Sequence, residues 1–338
     1  MPATKMEKKY MTADGVNWNS PLVRLPPWFP GQMGVPGSDS IDGLRQSCEG
    51  KIFYVDPNYP GVSDQRDGTN PQDPLRTVGA ALTKCRPYRG DVIAVMQNNA
   101  WTFGTPNDGQ LLPIAEQVTV TVPGVRIVGI ANAGTLGVLW TPSANAGTCI
   151  RIHALDVTVE GFTFDEGAFA GCNAISVLWN GTTAFGDNAV IRNCLFTGDV
   201  DIAIQLEFAW YCNIYNNFFQ QVDTAGIYLD PAGSGADYCN IYNNWFQDCV
   251  AAISARGLDN SRIANNTIYN TNAQGAALAT NEGIDTTGGR QNIVIDNYFS
   301  CLLPVPANGD YDDLNTAAAT DSWIGNHCSN GLAITSPT

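Results

Sequence analysis

The chain has 338 residues, of which only 14% are charged, and a formal net charge of −15. That balance excludes a general nucleic-acid binder, and the low charge with abundant Gly, Asn and Thr excludes a coiled coil or a disordered chain. No apolar run reaches the roughly 18–20 residues of a membrane-spanning helix, so no membrane partner is expected.

Residues 1–90 hold 11 basic and 9 acidic side chains, whereas residues 91–338 hold 6 and 23. Met1 to Tyr10 is polar and basic with no apolar stretch behind it, which does not read as a secretory signal. Residues 1–50 have no hydrophobic period. Their prolines block helix and central strand, and Trp18, Trp28 and Phe29 give them more aromatic anchors than a solvated tail carries. They read as an extended N-terminal arm that lies on a surface.

Residues 51–118 read as an entry unit with the first coil. Phe53 to Asp56 suits a short strand, and Leu75, Val78, Ala81 and Leu82 fall at helical spacing before Pro87. Gly90 to Val95 suits the next strand. A short helix here would cap an otherwise open sheet end.

Residues 119–338 are repetitive. The phrase Cys212-Asn-Ile-Tyr-Asn-Asn-Phe-Phe219 returns 27 residues later as Cys239-Asn-Ile-Tyr-Asn-Asn-Trp-Phe246. Related phrases begin at Ile127, Val159, Ile191, Ile263, Val294 and Ile324, at intervals of 22–32 residues. A second short strand recurs at Cys149–Ile152, Ala174–Val177, Ala203–Leu206, Gly226–Leu229, Ala252–Ala255, Ala277–Ala279 and Leu332–Ile334. Short alternating strands at such a period are the pattern of stacked coils. The fold class is therefore all-β, a single-stranded parallel β-helix. Eight coils at strand spacing make a rod of roughly 40 Å.

Each conserved letter of the repeat has a physical reading. Ile, Val and Leu fill the lumen, and Phe196, Phe219, Phe246 and Phe299 are placed to stack from coil to coil. Asn193, Asn216, Asn243 and Asn265 sit at a corner, where asparagine tolerates left-handed backbone and its amide can bond the coil above as a ladder. The ten cysteines lack zinc or CxxC spacing and read as buried reduced thiols.

The stretches Phe53-Tyr-Val-Asp-Pro57, Asp67-Gly-Thr69, Pro74-Leu-Arg-Thr-Val78, Ala81-Leu82 and Gly90-Asp-Val-Ile93, with the coils from Ile127 to Ile334, resemble the right-handed β-helix superfamily of pectate lyases and phage tailspikes. The scaffold does not select an activity. A lyase of this kind would need, by resemblance, a calcium held by acidic side chains and an Arg or Lys base. Asp199, Asp201, Asp223, Asp230 and Asp237 are the acidic candidates, and Arg192, Arg256 or Arg262 the bases, because no lysine follows Lys84. No dense acidic cluster adjoins an arginine along the sequence. The Asn-Thr-Asp, Gly-His-Gly and Arg-Ile-Lys motifs of a polygalacturonase-like hydrolase do not occur. Glu282 with Asp285 could span the distance that two hydrolytic carboxylates require.

The expectation is accordingly a non-enzymatic virion structural protein of a tailed phage: a capsid decoration protein, trimeric, anchored by its arm to the major capsid protein or other virion proteins, and located in the virion. No cofactor is expected, and calcium is the metal that the resemblance to lyases would imply. The alternatives are a tailspike or polysaccharide-cleaving enzyme and a self-assembling filament or surface-layer subunit. Loops that could hold a glycan or other ligand carry Asp223, Asp230, Asp237, Arg256, Asp312 and Asp313. The last two fall in a long insertion, 304–321.

Overall fold

A computed structural model describes residues 50–96, 113–131, 137–179, 181, 185–198, 200–229, 235–270, 282–286, 288–301, 311–312 and 320–328. The arm residues Trp18, Trp28 and Phe29, together with Asp199, Asp230, Asp313 and the segments Ala277–Ala279 and Leu332–Ile334, lie outside the described residues. Among the described residues three long sheets form, of ten, nine and eight strands. They are called here sheets 1, 2 and 3, in the order in which the chain visits them. All their strand pairs are parallel, each strand pairing with its counterpart one coil away, for example Asn213–Tyr215 with Asn240–Tyr242. Crossovers between parallel strands are right-handed, so the chain winds as a right-handed parallel β-helix. Ten rungs make a rod of about 45 Å.

Alternation decides which side chains enter the lumen. In sheet 1 the inward column runs Phe53, Ile93, Ile127, Val159, Ile191, Ile214, Ile241, Ile263, Val294 and Trp323. The last rung corrects the sequence alignment by one residue: Trp323, not Ile324, stands opposite Val294, and Ile324 is exposed. In sheet 2 the inward column is Trp140, Phe164, Phe196, Phe219, Phe246, Ile268 and Phe299. Ring centroids lie 5.2, 4.8 and 4.5 Å apart from Phe164 through Phe246. Ile268 ends that run, so Phe299 packs against an aliphatic neighbour. Sheet 3 contributes Ile150, Ile175, Ile204, Ile227, Ile253 and Ile284.

The two roles given to the corner asparagines belong to two adjacent positions. Asn193, Asn216, Asn243, Asn265 and Asp296 all have φ between 52° and 56° and supply the left-handed turn from sheet 1 to sheet 2. The amide ladder runs through the next residue: Asn217, Asn244, Asn266, Asn297 and Asn326. Asn217 donates from its backbone N–H and its Nδ2 to Asn244 Oδ1, both at 3.1 Å, and from Nδ2 to the Ile191 carbonyl at 3.0 Å. Asn244, Asn266 and Asn297 repeat this pattern one rung on. The left-handed residue points its side chain outward, so only its successor faces the interior, where an unpaired backbone amide would be costly.

A second ladder lines the corner from sheet 3 to sheet 1. Cys239 N–H donates to Ser261 Oγ, Ser261 N–H to Asn292 Oδ1, and Asn292 N–H to Asp321 Oδ1, at 2.8–3.0 Å. The late rungs of sheet 3 are Glu282–Asp285 and Tyr311–Asp312, so Asp312 belongs to a coil strand rather than to a loop outside the pattern.

The entry end is closed as its sequence suggests. Helix α1 (Val78–Lys84) buries Val78, Ala81 and Leu82. Thr77 Oγ1 accepts from Ala80 N–H, and Glu116 accepts from Val78 and Gly79 N–H at 2.9 and 2.8 Å, which satisfies the free amides of the first turn. The edge of the first strand (Ile52–Val55) is not left bare: Tyr54 bonds to Gly68 and Leu75, and Asp56 to Leu75, through the backbone. Among the described residues no helix is long and apolar enough to cross a membrane.

Candidate functional site

The outward faces carry committed charges on the sheets and exposed aromatics, which gather most densely at one corner and also occur on sheet 2 at Trp245 and Tyr298. On sheet 1, Glu160 is fully buried between Arg126 at 2.9 Å and Arg192 at 2.6 Å. Arg192 also donates to the Tyr215 hydroxyl at 2.6 Å, and Tyr215 stacks on Tyr242 at 4.8 Å. Burial pulls the Arg192 guanidinium down, but Glu160 and Tyr215 outweigh it and hold the group above its ordinary value. Arg256 pairs at 2.5 Å with the buried Asp285.

The proposed acidic ligands are only partly gathered. Asp237 lies in a short strand (Ala236–Asp237) directly over Asp259, and Asp259 pairs through the backbone with Arg290 on the next coil. Burial first, then the neighbouring Asp259, pushes the Asp237 carboxyl up. Arg256 follows the last residue of its sheet 3 strand on the same corner. Asp223 sits at a different corner, between sheets 2 and 3, where its N–H bonds to Val200. Asp312 pairs in register with Asp285 within sheet 3. Among the described residues no group of three or more His, Cys, Asp or Glu side chains could hold a metal ion.

The corner from sheet 3 to sheet 1, which the sequence marked for Asp237 and Arg256 rather than for aromatics, gathers a line of largely exposed rings over three successive coils. Trp179 stacks on Phe185 at 6.1 Å and meets Phe208 edge-on at 5.4 Å. Trp210 follows, 46% exposed, and then Tyr211 stacks on Tyr238 at 5.1 Å. Six turns at this corner are each made by one left-handed non-glycine residue, two positions before the sheet 1 strand. These are Asp156, Asn188, Tyr211, Tyr238, Asn260 and Gln291, with φ between 51° and 59°. Asn and Asp suit that geometry, whereas a bulky side chain there is strained. Two adjacent coils nevertheless carry tyrosine, with rings 49% and 48% exposed. Backbone preference does not account for them, and within the fold they gain only one ring stack. An exposed apolar patch of this kind marks an interaction surface, and Tyr and Trp are the residues that interfaces favour. The signal in the sequence was the residue preceding each Cys of the twin phrase, Tyr211 and Tyr238.

Comparison with known proteins adds the following. A family model described as periplasmic copper-binding protein (NosD) matches residues 169–281, one third of the chain. No curated protein matches the sequence. Among solved structures, ORF18 of Geobacillus virus E2 is 12% identical, with a TM-score of 0.44, over 78% of this chain and 54% of its own. A pectate lyase from Xanthomonas campestris is 15% identical, also with a TM-score of 0.44, over 87% and 85%. A lacto-N-biosidase from Eubacterium ramulus is 12% identical, with a TM-score of 0.40, over 77% and 57%. The chain thus spans about half the length of the viral protein it matches.

Proposed function

We propose that this right-handed parallel β-helix is a non-enzymatic structural protein of a tailed-phage virion, a decoration protein whose rods associate as trimers through the aromatic corner. The observation that supports this reading is the pair Tyr211 and Tyr238, placed in left-handed positions where asparagine would cost less, with their stacked rings turned to solvent. Strain retained at a surface has a use there, and a flat aromatic ridge along a rigid rod suits burial against a copy of itself. The N-terminal segment, with Trp18, Trp28 and Phe29, is the part we assign to the major capsid protein. Removing residues 1–50 is expected to abolish cosedimentation with assembled capsids while leaving the trimer intact. Retained cosedimentation would refute the anchoring role.

Two of the three candidate arginines speak against a lyase. A base must release its proton, and Arg192 is held above its ordinary value while Arg256 is committed to a buried carboxylate. Incubation with acidic polysaccharides is therefore expected to give no unsaturated product by ultraviolet absorbance. Product that disappears in Arg256→Ala would establish an enzyme instead.

The residues present do not fit the copper in the matching family's name. Copper ligation by cysteine needs a thiolate. The five cysteines of residues 169–281 are all buried, and burial pushes the thiols of Cys194 and Cys249 up to about 12. Cys212 is also raised, by the Cys239 side chain first and then by burial.

A further inference from the structure

The mouth of the rod holds a cavity of about 360 Å³, lined by Lys51, Phe53, Lys84, Arg86, Arg89, Asp91, Asp67 and Thr69. It unites segments that are distant in sequence. Phe53 is the first rung of the sheet 1 lumen column and forms an apolar wall. Lys84 ends α1, and Arg86 and Arg89 follow it. Residues 51–338 contain two lysines, and both are here. Residues 91–338 carry 6 basic against 23 acidic side chains, so this is a positive site on an otherwise negative body.

Asp91 does not neutralise the cavity in the ordinary way. It is buried, and its two oxygens accept the backbone N–H of Lys51 at 2.6 Å and of Arg86 at 2.7 Å. It therefore clamps the two segments that present these cations. None of Lys51, Lys84, Arg86 and Arg89 forms an ion pair among the described residues. Four cations against two carboxylates leave a local charge of +2.

We infer that this cavity binds a small phosphate monoester. A phosphate group carries roughly −1.5 to −2 at neutral pH and matches the local charge, where a single carboxylate would leave half of it uncompensated. Arginine forks pair with two phosphate oxygens at once, and lysines serve as point charges beside them. The cavity has the size of small-molecule sites, which run to roughly 300–1,000 Å³, and so leaves space beside the phosphate for an organic portion against Phe53. The competing structural role is that Lys84 and Arg86 only offset the carbonyls at the end of α1.

Calorimetric titration of the full chain separates the two. A hexose phosphate is expected to bind saturably and to weaken as salt is raised. Inorganic phosphate should bind at least about tenfold more weakly, and the free hexose not at all. Lys84→Ala/Arg89→Ala should weaken binding of the hexose phosphate at least about tenfold. Lys51→Gln, which leaves α1 untouched, should weaken it with an unchanged melting temperature. No saturable binding of either phosphate compound, equal binding by the variants, or equal binding of the free hexose would overturn the assignment. So would a double variant that only melts earlier while the parent protein binds nothing. Inorganic phosphate binding as tightly as the hexose phosphate would overturn the organic half of it.

Discussion

Asn244→Ala is expected to destabilise the protein by about 3–5 kcal/mol, while Asn243→Ala, one residue away, costs about 1 kcal/mol. Asn244 is buried and accepts from the Asn217 backbone N–H and Nδ2; it also donates to the Ile214 carbonyl at 3.0 Å. Alanine removes the partner of the Asn217 N–H and the amide at the Ile214 carbonyl, at roughly 1–3 kcal/mol each, and leaves Asn217 Nδ2 with only its bond to Ile191, so the sum falls near about 3–5 kcal/mol. Asn243 is exposed and contributes only its tolerance of φ 55°, for which the penalty on another residue is about 1–2 kcal/mol. Asn244→Asp keeps the acceptor but loses the donor and buries a charge, so it should be no milder than alanine. Urea midpoints of the three variants measure the order, and a larger loss at Asn243 than at Asn244 would contradict the ladder described here.

Phe219→Ala carries the other large effect, again about 3–5 kcal/mol, the range for deleting a buried aromatic ring. Phe219 is fully buried, with Phe196 at 4.8 Å on one side and Phe246 at 4.5 Å on the other. The cavity falls mid-stack, and coils contact only their neighbours, so the transition should broaden as the two ends uncouple. Phe299→Ala should cost less, because its sheet 2 neighbour on the preceding rung is the aliphatic Ile268. Calorimetric widths and midpoints of the two variants test this. Equal losses with equally sharp transitions would argue against the stack as a source of cooperativity.

The register of the coils was legible because identical letters recur where the same environment recurs: Ile in the lumen and Asn at the corner. It failed at the last coil for the same reason. The aliphatic Ile324 was matched to Val294, although the frame is fixed by the left-handed residue, Gly325, with φ 65° opposite Asp296. A lumen position accepts Trp323 as readily as Ile, whereas the corner accepts few residues. Asparagine's two roles were both foreseen, but the sequence alone does not say which of two neighbouring asparagines faces inward. The second ladder was invisible because its rungs are Cys239, Ser261, Asn292 and Asp321, which share small size and hydrogen-bonding ability rather than identity. The cavity at the mouth joins residues 51, 69 and 89, a juxtaposition that only folding produces. The aromatic corner was written in Tyr211 and Tyr238, but a tyrosine is conspicuous only once its φ is known.

That pair also provides the most direct test of the proposed function. Asparagine at both positions relieves a backbone strain of about 1–2 kcal/mol per residue and forfeits one ring stack worth about 0.5–1.5 kcal/mol. The fold should therefore melt no earlier than the parent. Sedimentation velocity of the full chain and of Tyr211→Asn/Tyr238→Asn is expected to give a trimer for the first and a monomer for the second. A monomeric parent protein, or a variant that remains trimeric, would contradict the account.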